Sequence, residues 1–178
     1  MEEDEFVDQT QENATRFEPL FEHYFDRVFQ YIFSRTNNRQ VAEDLTSQIF
    51  LKILEALPRY QSRRPLGAWV FAIARNTLFS HYRFTLRHPT QSLEEAGVIE
   101  TDPIPGLGGN SKDVDRYIDL EEAINQLPMK DRELLRLKYA AGLSFEEIGD
   151  LLGKSPEAIK MAIHRLLRKI EDGMELSK

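Results

Sequence analysis

Residues 144–170, SFEEIGDLLGKSPEAIKMAIHRLLRKI, read as two short helices joined by a tight turn. Ser144 with Glu147 three positions on forms a capping box, in which each side chain takes up a backbone N–H that the first helical turn leaves without a partner. Gly153 ends that helix. Ser155 and Pro156 restart the chain, the serine as N-cap and the proline at the first helical position, where its missing N–H costs nothing. Gly149 offers a small surface where the second helix crosses closely, and Ile159 falls where the two helices share a core. This combination is a helix-turn-helix.

The second helix carries Ile159, Ile163, Leu166 and Ile170 on one stripe, at spacings of four, three and four. Its other side is basic. Lys154, Lys160, Arg165, Arg168 and Lys169 stand against Glu157 alone, in a chain whose net charge is −7. Such a local reversal of sign is what attraction to phosphates needs, and with the caps and the short turn it points to DNA.

The 178 residues, 41% of them hydrophobic, suffice for one domain of moderate size or two small ones. There is no cysteine, hence no disulfide framework and no thiolate site. No apolar run approaches the roughly 18 residues of a membrane span, so no membrane insertion and a cytoplasmic location are expected. Charge is strongly segregated along the chain. Residues 1–15 hold six acids and no base, whereas residues 56–93 hold six arginines and no acid.

In chain order, residues 1–15 read as a mobile acidic tail with little to bury. From Arg16 to about Arg35, Phe17, Leu20, Phe21, Tyr24, Phe25, Val28, Phe29, Ile32 and Phe33 keep helical spacing and form an aromatic core stripe. Thr36-Asn37-Asn38 breaks it. A second helix from Arg39 to about Leu57 turns Val41, Leu45, Ile49, Ile53 and Leu57 inward, and Pro58 stops it. After the basic loop 59–64, Pro65 opens a third helix to about Arg87, with Leu66, Trp69, Val70, Ile73, Leu78 and Tyr82 on its apolar side. Residues 89–113, rich in Gly, Pro and acid, read as a linker. Two further helices from about Val114, interrupted at Pro128 and ending at Gly142, scaffold the helix-turn-helix. The expected fold is therefore all-α, with two small helical domains, 16–88 and 114–178, joined by a flexible linker.

Region 56–93 interleaves Arg59, Arg63, Arg64, Arg75, Arg83 and Arg87 with Tyr60, Trp69, Phe71, Phe79, Tyr82 and Phe84. A single-stranded DNA surface needs this mixture: arginines hold phosphates, while rings and guanidinium planes stack on bases. Trp69, spaced with Leu66 and Ile73, reads as core instead. His81 and His88 have no partner at metal-ligand spacing, and no triad, phosphate loop or nucleophile geometry is legible, so neither catalysis nor a metal or cofactor is expected.

The words AEDLTSQIFLKI, WVFAIARNTL and LPMKDRELLRLKYAAGLSFEEIGDLLGKSPEAIKMAIHRLLRKI, in that order across a linker of fitting length, resemble bacterial RNA polymerase sigma factors of the extracytoplasmic-function (ECF) group, over about residues 17–170. The resemblance implies a subunit without catalysis of its own that docks on core RNA polymerase and directs it to promoters. Its first domain would melt the minus-ten element and its second would read the minus-thirty-five element. By the same resemblance Asn76 would recognise a base flipped out of the melted strand, with Arg63, Arg64, Arg75 and Arg83 on neighbouring phosphates. Asp44, Ser47 and Gln48 would face the coiled coil of the polymerase beta-prime subunit, although the family usually has a Gln-Glu pair where this chain reads Ser47-Gln48. An anti-sigma factor is a further partner that the family commonly uses.

On the recognition helix, Ser155 and the helix N-terminus are available to a phosphate, Glu157 and Lys160 are placed for base edges, and Arg165 and Arg168, with His164 beside them, for the backbone. Family members often carry glycine, serine and arginine where this chain has Glu157, Met161 and Ala162, so upstream contact should be weak or unusual in sequence. Ala162 is expected to face outward. A linker of about 25 residues stretches to roughly 85 Å, enough for the roughly 68 Å of two turns of duplex. Two other readings use the same motifs: a helix-turn-helix transcriptional regulator, and a polymerase-binding antagonist that does not itself initiate transcription.

Overall fold

Two asparagines set the first corner of the molecule. Asn37 takes a left-handed conformation (φ 48°) and its N–H closes the preceding helix onto Phe33 O at 2.9 Å. Asn38 then caps the next helix, its side chain accepting from Val41 N at 3.1 Å. The computed structural model describes residues 2–60, 63–87, 120 and 123–176. Helix α1 is Glu2–Thr36, α2 is Arg39–Ala56 and α3 is Leu66–Arg87, with a 3₁₀ turn at Leu57–Arg59 where Pro58 stops α2. The linker read from sequence at 89–113 lies outside the described residues.

Helix α1 starts earlier than the sequence reading places it, so most of the segment expected as a mobile tail is helical. Residues 2–18 contain no glycine or proline, and nothing there forces a break before Pro19, which lies inside the helix. Leu20, Tyr24, Val28 and Ile32 of α1 meet Leu45, Ile49, Phe50 and Ile53 of α2 and Val70, Phe71, Ala74 and Leu78 of α3 in an apolar core that continues into the second domain, where it takes in Leu137, Leu143 and Ile148. Phe50 gathers Phe17, Phe21 and Phe25 around its ring at 4.9–6.3 Å between centroids. Trp69 packs against this core, its ring 4.8 Å from that of Tyr60.

The second domain runs through helical residues 123–125, α4 at Met129–Leu135, a π turn at Arg136–Ala140, α5 at Phe145–Leu152 and α6 at Pro156–Leu176. In the wide turn, Ala141 N reaches back five residues to Arg136 O at 2.9 Å. Gly142 follows at φ +64°. The two domains pack directly on one another, α1 against the π turn and α3 against α5. Gly67 of α3 lies under the Glu147 carboxylate at the second contact, and a side chain there would push that carboxylate aside.

Candidate nucleic-acid and polymerase interfaces

The helix-turn-helix is built as its sequence dictates. Ser144 N donates to Glu147 Oε2 at 2.7 Å and Glu147 N donates to Ser144 Oγ at 3.1 Å, completing the capping box. Gly153 closes α5 in the left-handed region at φ +66°. Ser155 Oγ accepts from Ala158 N at 3.2 Å and so caps α6. A Cβ at Gly149 would stand 2.6 Å from Lys154 O, so only glycine lets the turn backbone come this near.

On α6, Ile159, Ile163, Leu166 and Ile170 are buried, while Glu157, Lys160, His164, Arg165 and Arg168 are exposed. Met161 is 61% exposed in the middle of that face. Ala162 differs from the expectation: it is half-buried against the core, because the apolar stripe is wide enough to take in Ala162 and Leu167.

The arginines of the first domain fall into two sets. Arg63 and Arg83 are exposed, as is Asn76. Along α3, Asn76, Phe79, Ser80, Arg83, Phe84 and Arg87 recur at helical spacing on one exposed strip, which joins an amide, two rings and two cations. Of the rings that the sequence offers to DNA, Phe79 and Phe84 are exposed on this strip. Phe71 is not: it is fully buried, edge-on to Tyr31 at 5.6 Å, since it faces the α1 side of α3. Tyr82 is half-buried and donates to Arg35 O at 2.7 Å.

Arg64 and Arg75, expected on DNA, are held by carboxylates of the second domain. Arg64 Nε lies 2.8 Å from Asp150 Oδ2. Arg75 Nε lies 3.3 Å from Glu133 Oε1, and its guanidinium sits 5.7 Å from the Phe79 ring centre. Glu133 is the centre of a buried cluster that no sequence motif announced. Tyr31 Oη donates to its Oε1 at 2.7 Å, and Arg35 Nη1 donates to its Oε2 at 2.7 Å. Burial pushes the Tyr31 phenol well above its ordinary pKa, and the charge of Glu133 adds to the shift. Burial alone would lower the Arg35 guanidinium, but Glu133 opposite it raises it above its ordinary value. Arg136 goes the other way, drawn down first by burial and then by the charge of Arg35.

The signal for this cluster was in α1. His23, Arg27, Tyr31 and Arg35 recur every fourth residue, beside the aromatic stripe, and three of them bind the second domain. Arg27 donates to Ala141 O at 2.8 Å and to Gly142 O at 3.0 Å, two carbonyls that the π turn and the left-handed glycine present.

Asp44, Ser47 and Gln48 are exposed together on α2. Leu51, one turn further along that face, is 61% exposed and extends it with an apolar centre that the sequence reading passed over. Among the described residues no group of three or more acidic or histidine side chains could hold a metal ion, and no helix is long and apolar enough to cross a membrane.

Comparison with known proteins matches the Sigma-70 region 2 family model to residues 20–87 and the Sigma-70 region 4 model to residues 117–170. The chain is 33% identical over 159 residues to the ECF RNA polymerase sigma factor ShbA of Streptomyces griseus, covering 85% of this chain and 83% of that protein. It is 31% identical over 171 residues to the ECF RNA polymerase sigma factor BldN of Streptomyces coelicolor, covering 93% of this chain but spanning only 63% of the length of that protein. In fold it resembles the sigma factor RpoE of Bartonella quintana, solved with the anti-sigma factor NepR, at a TM-score of 0.65, 21% identity and coverage of 92% and 99% of the two chains. CnrH, solved with the cytosolic domain of CnrY, aligns at a TM-score of 0.63, 21% identity and coverage of 97% and 96%.

Proposed function

Because the chain belongs to the ECF group of RNA polymerase sigma factors, we propose that it binds core polymerase and directs promoter-specific initiation, melting the minus-ten element with its first domain and reading the minus-thirty-five element with its second. One observation carries this reading: a single chain exposes two separate faces with the chemistry that nucleic acid needs, the amide, ring and cation strip of α3 and the basic side of α6. A regulator that only binds duplex has use for the second alone.

The assignment of roles follows from chemistry. Asn76 can make two hydrogen bonds to one edge of a base, Phe79 and Phe84 can stack neighbouring bases, and Arg63 and Arg83 can hold the strand between them. On α6, Glu157 and Lys160 take base edges, Arg165, Arg168 and His164 take the backbone, and the N-terminal turn at Ser155 receives a phosphate. Asp44, Ser47 and Gln48, with Leu51, take the polymerase beta-prime coiled coil. None of these roles is catalytic, and the work is done in the cytoplasm, where polymerase operates. A protein of this fold, RpoE, has been solved bound to an anti-sigma factor, and a partner of that class is proposed here too.

The test is reconstitution of the chain with core polymerase on a library of genomic fragments. Promoter-specific transcripts are expected, and a protein that binds core without yielding any would be an antagonist instead. Asn76→Ala should leave core binding intact and sharply reduce open complexes, because the amide is exposed and supports no packing. Asp44→Arg should weaken core binding by reversing a charge on the docking face, while binding of the isolated chain to DNA stays unchanged. Equal open-complex yield from the Asn76 variant would remove that residue from the assignment.

A further inference from the structure

The Glu133 cluster contains more donor capacity than its carboxylate satisfies. Three groups of the first domain converge on it: Tyr31 Oη, Arg35 Nη1 and Arg75 Nε. The first two make short hydrogen bonds. Arg75 Nε is buried and makes none, although it is within ion-pair distance. A carboxylate accepts best in its own plane, and Arg75 Nε, 3.3 Å from Glu133 Oε1, does not meet it in hydrogen-bond geometry. The charges are unbalanced as well. Arg35 and Arg75 face one acid, with Arg136 close enough for the charge of Arg35 to draw its pKa down.

We propose that Arg35, Arg75 and Tyr31 form an anion site of the first domain, which holds the Glu133 carboxylate while the domains are packed together and a backbone phosphate of the promoter strand once they separate. A phosphodiester is tetrahedral, carries a full negative charge and offers acceptors out of any single plane, so it suits all three donors. The site adjoins the base-reading strip: Arg75 directly precedes Asn76, and its guanidinium lies over Phe79. A strand with one base at Asn76 and another stacked on Phe79 brings its phosphates past this position. Glu133 and a phosphate exclude each other there. Separation of the domains is thereby coupled to arrival of DNA, because a phosphate can bind the two arginines only where Glu133 has left them, and each such contact favours the separated state.

The inference rests on α3 being the minus-ten face, and its test is separable from that reading. The full chain is titrated with a fluorescent single-stranded oligonucleotide at several salt concentrations, thermal melting serving as folding control. Glu133→Gln keeps the shape and removes the competing charge, so it should bind roughly tenfold tighter than the unchanged chain, the worth of one charge-assisted hydrogen bond. Its plot of log affinity against log salt should keep the slope of the unchanged chain, since both place one phosphate in the site once DNA is bound. Adding Arg35→Gln to that variant should abolish the gain and flatten the slope by about 0.7, one phosphate fewer on a single strand. A gain that survives in the double variant, or a slope that Arg35→Gln leaves unmoved, overturns the proposal.

Should Glu133→Gln fail to fold, the unchanged chain in holoenzyme answers instead. Replacing promoter phosphates one at a time by neutral methylphosphonate should reveal one linkage beside the flipped base whose charge matters with Arg35 present and not with Arg35→Gln. If no linkage behaves so, the site takes no phosphate. Failure of the sigma-factor reading would show elsewhere, as absence of promoter-specific transcripts from the unchanged chain.

Discussion

The two faces proposed for nucleic acid differ in how they are kept. The face of α6 is made by one supersecondary unit, whose caps, turn and apolar stripe lie within 27 consecutive residues, and its polar side chains stand exposed. The face of α3 is shared. Arg63, Asn76 and Arg83 are exposed, but Arg64 and Arg75 are engaged by Asp150 and Glu133 of the other domain. The first face is available as folded, whereas part of the second can serve DNA only after an exchange of partners. A surface charge read from sequence therefore means what it says where the fold is local, and something less where a second domain brings the opposite charge.

The comparison breaks most visibly at Glu133. Its side chain and that of Arg35 are only 11% and 9% exposed, so Glu133→Ala leaves buried cations without a counter-charge. The expected loss is about 3 kcal/mol, at the lower end for breaking a buried pair. Differential scanning calorimetry should show it as a lower melting temperature, beginning with loosening of the domain contact. If the thermogram is unchanged, the cluster does not hold the domains together.

Gly149→Ala attacks the self-contained face instead. The new methyl meets Lys154 O, which is backbone and cannot rotate away, so α5 and α6 must shift apart. Overpacking of this kind costs about 2 kcal/mol. Binding to minus-thirty-five duplex should fall, while open-complex formation on a promoter with an optimal minus-ten element should persist. Equal loss of both would mean that the two faces are not independent.

Legibility followed the same division. Every element of the helix-turn-helix was visible, from the Ser144–Glu147 box to the left-handed Gly153, because each rests on contacts a few residues apart. The helices of the first domain were legible from periodicity and from the breaks at Thr36-Asn37-Asn38 and Pro58. The start of α1 was not, since low hydrophobicity removes the packing signal without preventing a helix. Phe71 illustrates the limit at the site: composition put it among DNA-facing rings, and only the direction of α3 shows that it faces α1. Glu133 was passed over altogether. A glutamate in a polar helical stretch looks solvated, and its meaning comes from Tyr31, about a hundred residues away in the chain.

The smallest effect is expected at the other interdomain pair, and that contrast sharpens the account of Glu133. Arg64 and Asp150 meet at 2.8 Å, nearly as close as Arg35 and Glu133, but their side chains are 48% and 31% exposed. Water screens such a pair, and both side chains surrender rotamer freedom to form it, so the net contribution is about 0.5 kcal/mol or less. Asp150→Asn should therefore leave the melting profile almost unmoved. What it should change is salt response: with the competing carboxylate gone, Arg64 is available to DNA without exchange, and affinity at low ionic strength should rise slightly, the gain fading as salt increases. A stability loss comparable to that of Glu133→Ala would show that closeness, not burial, governs these contacts, and would remove the reason for singling out the Glu133 cluster.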